Sequence, residues 1–199
     1  MVTAWATGGW DVDQTSPMAK QFGDGAAAAV VSAQNLKCEF ITYVNKTEGW
    51  LYDHLAWDFR RTMHPEFLTG PDAQRMVGNY LWADQAMLEW GQGKHLAIEV
   101  IGKALRKANL KVSDLDMIFF HQAQDTFFER WMEGAEEAGV SKDKWKETYH
   151  RYGNIGNVEI PANLAEWWEK GQIPKSSIIA LWVPGGGVHI PCLLLRWLQ

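Results

Sequence analysis

Three places in this 199-residue chain put polar or conformationally free residues where apolar structure alone would not need them. DMIFFHQAQ, residues 116–124, drives an apolar run into His121, Gln122, Ala123 and Gln124. YGNIGN, residues 152–157, sets Asn154 in a glycine-rich loop, and VPGGGVHI sets Gly185, Gly186 and Gly187 between two apolar runs. Singly, each has an ordinary structural reading: a histidine finishing a strand, an asparagine making a local Asx bond, a glycine turn in a hairpin. Together they suit one task. His121 and Asn154, both neutral, could converge as hydrogen-bond donors on one oxygen, while glycine lets backbone N–H groups come close to another. Those are the parts of an oxyanion-stabilising site for acyl or enolate chemistry.

Other chemistries find no footing. His54, His64, His95, His150 and His189 show neither HExxH nor CxxC spacing, so no metal site is expected. No GxGxxG or GxxxxGK[ST] phosphate loop occurs, and GxSxG is absent, which leaves an α/β-hydrolase without its nucleophile. The net charge of −5, without a Lys/Arg block, argues against nucleic-acid binding. No apolar run has the length of a membrane span, and MVTAWATGGW lacks the basic start of a signal peptide. Cys38 and Cys192 lie in apolar strand-like runs and read as free core thiols, which suits the cytoplasm. Twelve tryptophans suggest a large core, an extensive interface, or a pocket for bulky apolar ligands.

The elements that must position these residues follow from periodicity. MVTAWAT, QFGDGAAAAVVSA and CEFITYVN read as strands, the second entered through a Gly-Asp-Gly turn. From Trp50 to about Met76 the pattern weakens, as in a partly helical excursion. Residues 77–109 carry helical periodicity, best in Leu96, Ile98, Val100, Ile101, Ala104, Leu105 and Ala108. Lys103, Arg106, Lys107 and Lys111 form a solvated basic end that complements the helix dipole. Asp116–Phe120 make a strand, DTFFERWMEGAEEAG a helix capped near Gly139, and KDKWKETYHRY further helix or an extended segment. IPANLAEWWEKGQI reads as a helix with Pro161 near its first turn. SSIIALWVPGGGVHIPCLLLRW reads as two strands in a hairpin. Helices alternating with strands predict an α/β layered protein.

The order and spacing of four segments resemble the C-terminal part of the β-ketoacyl-ACP synthase III family of the thiolase superfamily. They are FGDGAAAAVV (22–31), DMIFFHQAQ (116–124), YGNIGNVEIPANLAEWWEKGQIP (152–174) and LWVPGGGVHIPCLLLRW (181–197). In the family these stand as FGDGA, an HQAN box, a GN-small-small-IP segment and a GGG loop before the last strand. The resemblance implies a thiolase-like fold, layered αβαβα, with the end of its first half and all of its second half in this chain. The expected divisions are residues 1–49 (end of the first half), 50–92 (insertion and connector) and 93–199 (second half). It also implies a Cys-His-Asn site for Claisen-type condensation. His121 and Asn154 are the matching catalytic positions, the backbone of Gly186 the oxyanion hole, and Gln122 and Gln124 the supporting amides. No resident cofactor is implied; acyl-CoA or acyl-ACP is the substrate.

Departures from the pattern set the remaining expectations. The family's nucleophilic Cys lies at a helix start well upstream of GDGA, and no Cys precedes FGDGA here. A complementary N-terminal chain carrying that Cys is therefore the expected partner, with a dimer of such pairs above it. HQAN has become HQAQ, and Pro184 stands where an aromatic commonly precedes GGG. Asp125 and Thr126 stand where ACP-docking relatives tend to be basic, which favours a CoA thioester. Trp50, Trp57, Phe59, Phe67 and Trp82 populate the weakly patterned region and suit either a bulky acyl group or core packing. The leading expectation is the C-terminal subunit of a condensing acyltransferase. The alternatives are a non-catalytic companion of an active ketosynthase-like partner, a non-decarboxylative condensation, and acyl transfer without C–C bond formation.

Overall fold

The computed structural model describes residues 2–5, 23–51, 55–57, 81–83, 85–185 and 188–199. Its centre is a five-stranded sheet in the order β3-β9-β8-β6-β7. The strands are β3 (Cys38–Thr47), β6 (Leu115–Phe120), β7 (Trp145–Lys146), β8 (Ile178–Trp182) and β9 (His189–Trp197). β6 is parallel to both β7 and β8, whereas β9 runs antiparallel to β8 and to β3. β1 (Val2–Trp5) pairs antiparallel with β2 (Gly25–Ala28), and β4 (Leu55–Trp57) with β5 (Leu81–Ala83). β3 is hydrogen-bonded along its length to β9 and so lies in the same sheet as β8 and β6.

The apolar run of β6 is explained by burial on both faces, the usual condition of a strand with two parallel neighbours. Ile118 and Phe120 join one core, and Met117 and Phe119 join the other. The first core lies under α2 (Leu96–Lys107) and α3 (Asp125–Glu137). α2 lays Leu96, Ala97, Val100, Ile101, Ala104 and Leu105 on the sheet as a continuous apolar stripe. Its basic end is exposed, and Lys107 donates to the Tyr43 carbonyl at 2.9 Å. The second core lies under α5 (Glu159–Glu169), through Ile160, Leu164 and Trp167.

Among the described residues, part of the tryptophan excess serves packing. Trp131, Trp145, Trp182 and Trp197 are buried, and Trp131 meets Trp182 edge to face with centroids 4.7 Å apart. Such a pair contributes about 0.5–1.5 kcal/mol beyond the burial of its area. Trp50, by contrast, is 59% exposed. Phe59 and Phe67 lie outside the described residues.

Two local readings change. The 77–109 segment is not helical throughout: Leu81–Ala83 is a strand, and α1 (Gln85–Gly91) is separated from α2. Gly91-Gln92-Gly93 supplies the break, since two glycines cost a helix about 1 kcal/mol each. The KDKWKETYHRY segment divides into a 3₁₀ turn at 142–144, β7, and α4 (Tyr149–Tyr152). α3 ends as expected, with Gly139 at φ +88° and the Val140 N–H returning to the Ala135 carbonyl.

Candidate active site

His121 sits one residue beyond the carboxyl end of β6, where open parallel sheets ordinarily place their ligand sites. Its backbone N–H donates to the Trp182 carbonyl at 3.1 Å, so the β6–β8 ladder continues into the histidine itself. The chain then leaves the sheet, and Gln124 takes the position before α3 in an extended conformation without capping the helix through its side chain. A rigid strand therefore delivers the imidazole, and its placement owes little to the loop that follows.

The ring is held by a residue that sequence reasoning did not single out. Glu159 Oε2 lies 2.7 Å from His121 Nδ1, and the carboxylate is 1% exposed against 17% for the imidazole. The same Oε2 accepts the Gln122 backbone N–H at 2.6 Å, while Oε1 accepts the Ile155 N–H at 3.2 Å. Glu159 thus spans the end of β6 and the Asn154 loop from the first turn of α5. Its sequence signal was an acid between apolar neighbours in VEIP. That signal reads as an ordinary first-turn acid favoured by the helix dipole, unless its i, i+4 relation to Asn163 is noticed. Both residues are buried, which gives α5 a polar strip on its inner face.

Asn154 is 7% exposed and lies in the loop between α4 and α5. Its Oδ1 accepts the Gly156 N–H at 2.9 Å, an Asx turn that fixes which way the amide points. Nδ2 then faces the Ala123 carbonyl at 3.4 Å, two residues beyond His121. The structure therefore brings His121 and Asn154 to the same end of β6, with the Asn N–H₂ turned toward the HQAQ turn. Gly153 at φ +65° and Gly156 at φ +61° give the loop backbone angles that L side chains rarely adopt. From the other side the Gly23 N–H donates to the Asn154 carbonyl at 2.9 Å. A Cβ on Gly23 would lie 2.0 Å from the Tyr152 oxygen, so the FGDGA segment meets the loop backbone to backbone.

The two supporting amides separate. Gln122 is fully buried, and its Oε1 accepts the N–H groups of both Thr148 and Tyr149 at 2.7 Å, anchoring the start of α4. Gln124 serves α3 through its backbone, where its carbonyl accepts from Phe127 and Phe128. Gly186 and Gly187 lie outside the described residues. Their flanks are joined by hydrogen bonds, the Gly185 N–H donating to the His189 carbonyl and the Val188 N–H to the Gly185 carbonyl. Among the described residues there is no cluster of three metal-ligating side chains. No helix there is long and apolar enough to cross a membrane.

Neither cysteine fits the nucleophile's place. Cys192 is buried in β9 opposite Val44 and Trp182, and burial pushes its thiol up to about 12. Cys38 opens β3, and its thiol is likewise raised by desolvation. A nucleophilic thiol needs the opposite shift, toward thiolate.

Known proteins agree with this architecture. The β-ketoacyl-[acyl-carrier-protein] synthase III of Bacillus pumilus is 30% identical over 188 residues, which cover 94% of this chain and 52% of that protein. The enzyme of the same name from Staphylococcus saprophyticus is 29% identical over 185 residues, covering 88% of this chain and 50% of its own length. The chain thus spans about half the length of the curated relatives it matches. The crystal structure of 3-oxoacyl-[acyl-carrier-protein] synthase III from Aquifex aeolicus superposes with a TM-score of 0.72 at 24% identity, over 94% of this chain and 54% of that one. The fold is therefore thiolase-like. Residues 105–197 match the family described as 3-oxoacyl-[acyl-carrier-protein (ACP)] synthase III C terminal. Over these residues the chain is similar to the C-terminal part of that family.

Proposed function

We propose that this chain is the C-terminal part of a ketosynthase III-like condensing acyltransferase, supplying His121 and Asn154 to a cysteine outside these 199 residues. The observation that carries the reading is the convergence of His121 and Asn154 at the carboxyl end of β6, each oriented by hydrogen bonds on its far side. Retention of both His121 and Asn154 favours an enzyme over a non-catalytic companion, which need keep neither. Cys38 and Cys192 are strand residues with thiols raised by burial, which supports a nucleophile on a complementary N-terminal part outside these residues.

In this reading the partner's cysteine takes an acyl group from a thioester, with coenzyme A favoured over a carrier protein. Asp125 at the start of α3 would repel an acidic carrier near the site mouth. The acceptor thioester then enters beside His121 and Asn154, where the amide stabilises the enolate oxygen that forms. The backbone of Gly186 supports the acyl-enzyme carbonyl, and the assembly works in the cytoplasm as a dimer of such pairs.

The test is direct. The chain is co-produced with its complementary half, incubated with acyl-CoA, and each chain is weighed by intact mass spectrometry. The acyl mass appears on the partner and is lost when its cysteine is replaced by alanine. Acylation of Cys38 or Cys192 instead, or of neither chain, would overturn the reading.

A further inference from the structure

Glu159 is the one member of the site that a pair of neutral donors does not use. A neutral imidazole carries its proton on one nitrogen and a lone pair on the other. Nδ1 faces Glu159 Oε2 at 2.7 Å, and backbone N–H groups of Gln122 and Ile155 already address the two carboxylate oxygens. With donors arriving at both oxygens, the carboxylate acts as an acceptor only, so the proton between it and the ring resides on Nδ1. Glu159 is 1% exposed and the imidazole 17%, which puts the carboxylate on the protein side and leaves Nε2 for the open side. Nε2 therefore presents a lone pair. Aimed at a thioester oxygen, that lone pair would repel the enolate charge that loss of CO₂ generates. Aimed at an α-hydrogen, it removes it.

We propose that Glu159 is a positioning residue that fixes His121 as the Nδ1–H tautomer, and that Nε2 takes a proton from the α-carbon of an uncarboxylated acyl thioester. The inference rests on the acyl-cysteine reading above and names its acceptor class. The step balances without CO₂ or an oxidant. Nε2 takes the α-proton, and the C–H electron pair becomes the enolate, whose oxygen receives the Asn154 Nδ2–H. The enolate carbon attacks the acyl-cysteine carbonyl, the C–C bond forms and the C–S bond breaks. The departing thiolate recovers the proton from the imidazolium, which Glu159 has meanwhile held as an ion pair.

Two measurements on the assembled protein test this. In ¹⁵N-histidine-labelled protein, long-range ¹H–¹⁵N spectra identify His121 by its absence in His121→Ala and report its tautomer. Nδ1–H is expected in the wild type, with a shift toward Nε2–H in Glu159→Ala. In D₂O, deuterium enters the methyl group of acetyl-CoA, and His121→Ala and Glu159→Ala slow that wash-in by about a hundredfold, the lower end for losing a general base. An Nε2–H tautomer in the wild type overturns the assignment, even where the alanine variant fails to fold. So does absent wash-in from a protein that releases CO₂ from malonyl-CoA. Intact tautomer and wash-in with no cysteine acylation would sink the acyl-cysteine reading and leave the proton transfer standing.

Discussion

Replacing Gln122 by methionine keeps most of the side-chain volume and removes one carbonyl oxygen that holds two backbone N–H groups. Both bonds are 2.7 Å long, and Gln122 itself is fully buried. The Thr148 donor is left buried and unpaired, at about 1–3 kcal/mol, and the partly hydrated Tyr149 donor adds about 1 kcal/mol. The sum, about 2–4 kcal/mol, is a large share of the 5–15 kcal/mol that stabilises an ordinary domain. Gln122→Ala loses these bonds as well and adds about 1–2 kcal/mol for the cavity. Urea unfolding of the assembled protein, followed by tryptophan fluorescence, measures both. The midpoint should fall for each variant with the slope unchanged. The methionine variant should retain less than half of the difference between alanine and wild type. Should Gln122→Met unfold within about 0.5 kcal/mol of wild type, the range of an ordinary surface substitution, the anchoring role of this amide is wrong.

Other outcomes follow from the same geometry. Trp131→Ala removes a fully buried ring and the indole bond to the Gly91 carbonyl at 2.8 Å, so it should cost about 3–5 kcal/mol by the same unfolding assay. In the proposed reading Asn154→Ala should slow product formation by about a hundredfold, the typical loss of one oxyanion donor, with acyl loading of the nucleophilic cysteine much less affected in single-turnover mass spectrometry. In the folded protein Cys192 should resist iodoacetamide at pH 8, because its thiol titrates at about 12, and should react once urea unfolds the chain. Glu166 accepts from Arg151 and Lys170, and these cations hold its carboxyl at about 2 rather than 4.5. A lowered acid adds stability above the unfolded value and loses it as pH falls toward the folded one. Glu166→Gln should therefore reduce the extra acid lability of the wild type between pH 4.5 and 2, as followed by circular dichroism.

Legibility in the sequence tracked how local the determining physics was. β6 announced itself because a strand buried on both faces must be apolar throughout. α2 and α3 did so because each lays a single stripe on the sheet. The hairpin of β8 and β9 was marked by its glycines, whose backbone freedom is a property of single residues. The break between α1 and α2 was missed although Gly91 and Gly93 stand in plain sight, because the apolar spacing on either side kept the same period. β7 was ambiguous since two residues show no alternation, and only pairing with Ile118 and Phe119 makes them a strand. The segments that carry His121 and Asn154 stood out by the composition of their neighbours. Glu159 was not: its meaning comes from three donors that arrive from residues 121, 122 and 155, and only the folded chain brings them together.

The clasp between Gly23 and the Asn154 loop makes the asparagine's placement conditional on events far from it in sequence. One face of the loop is fixed by α4 and α5, but its carbonyl is held by Gly23, just ahead of β2, across a gap no side chain could occupy. Until Gly23 has docked, the loop lacks that hydrogen bond and the asparagine lacks its final setting. In the proposed reading the contact would act as a checkpoint, with the asparagine set for a thioester only once the segment ahead of β2 is in place.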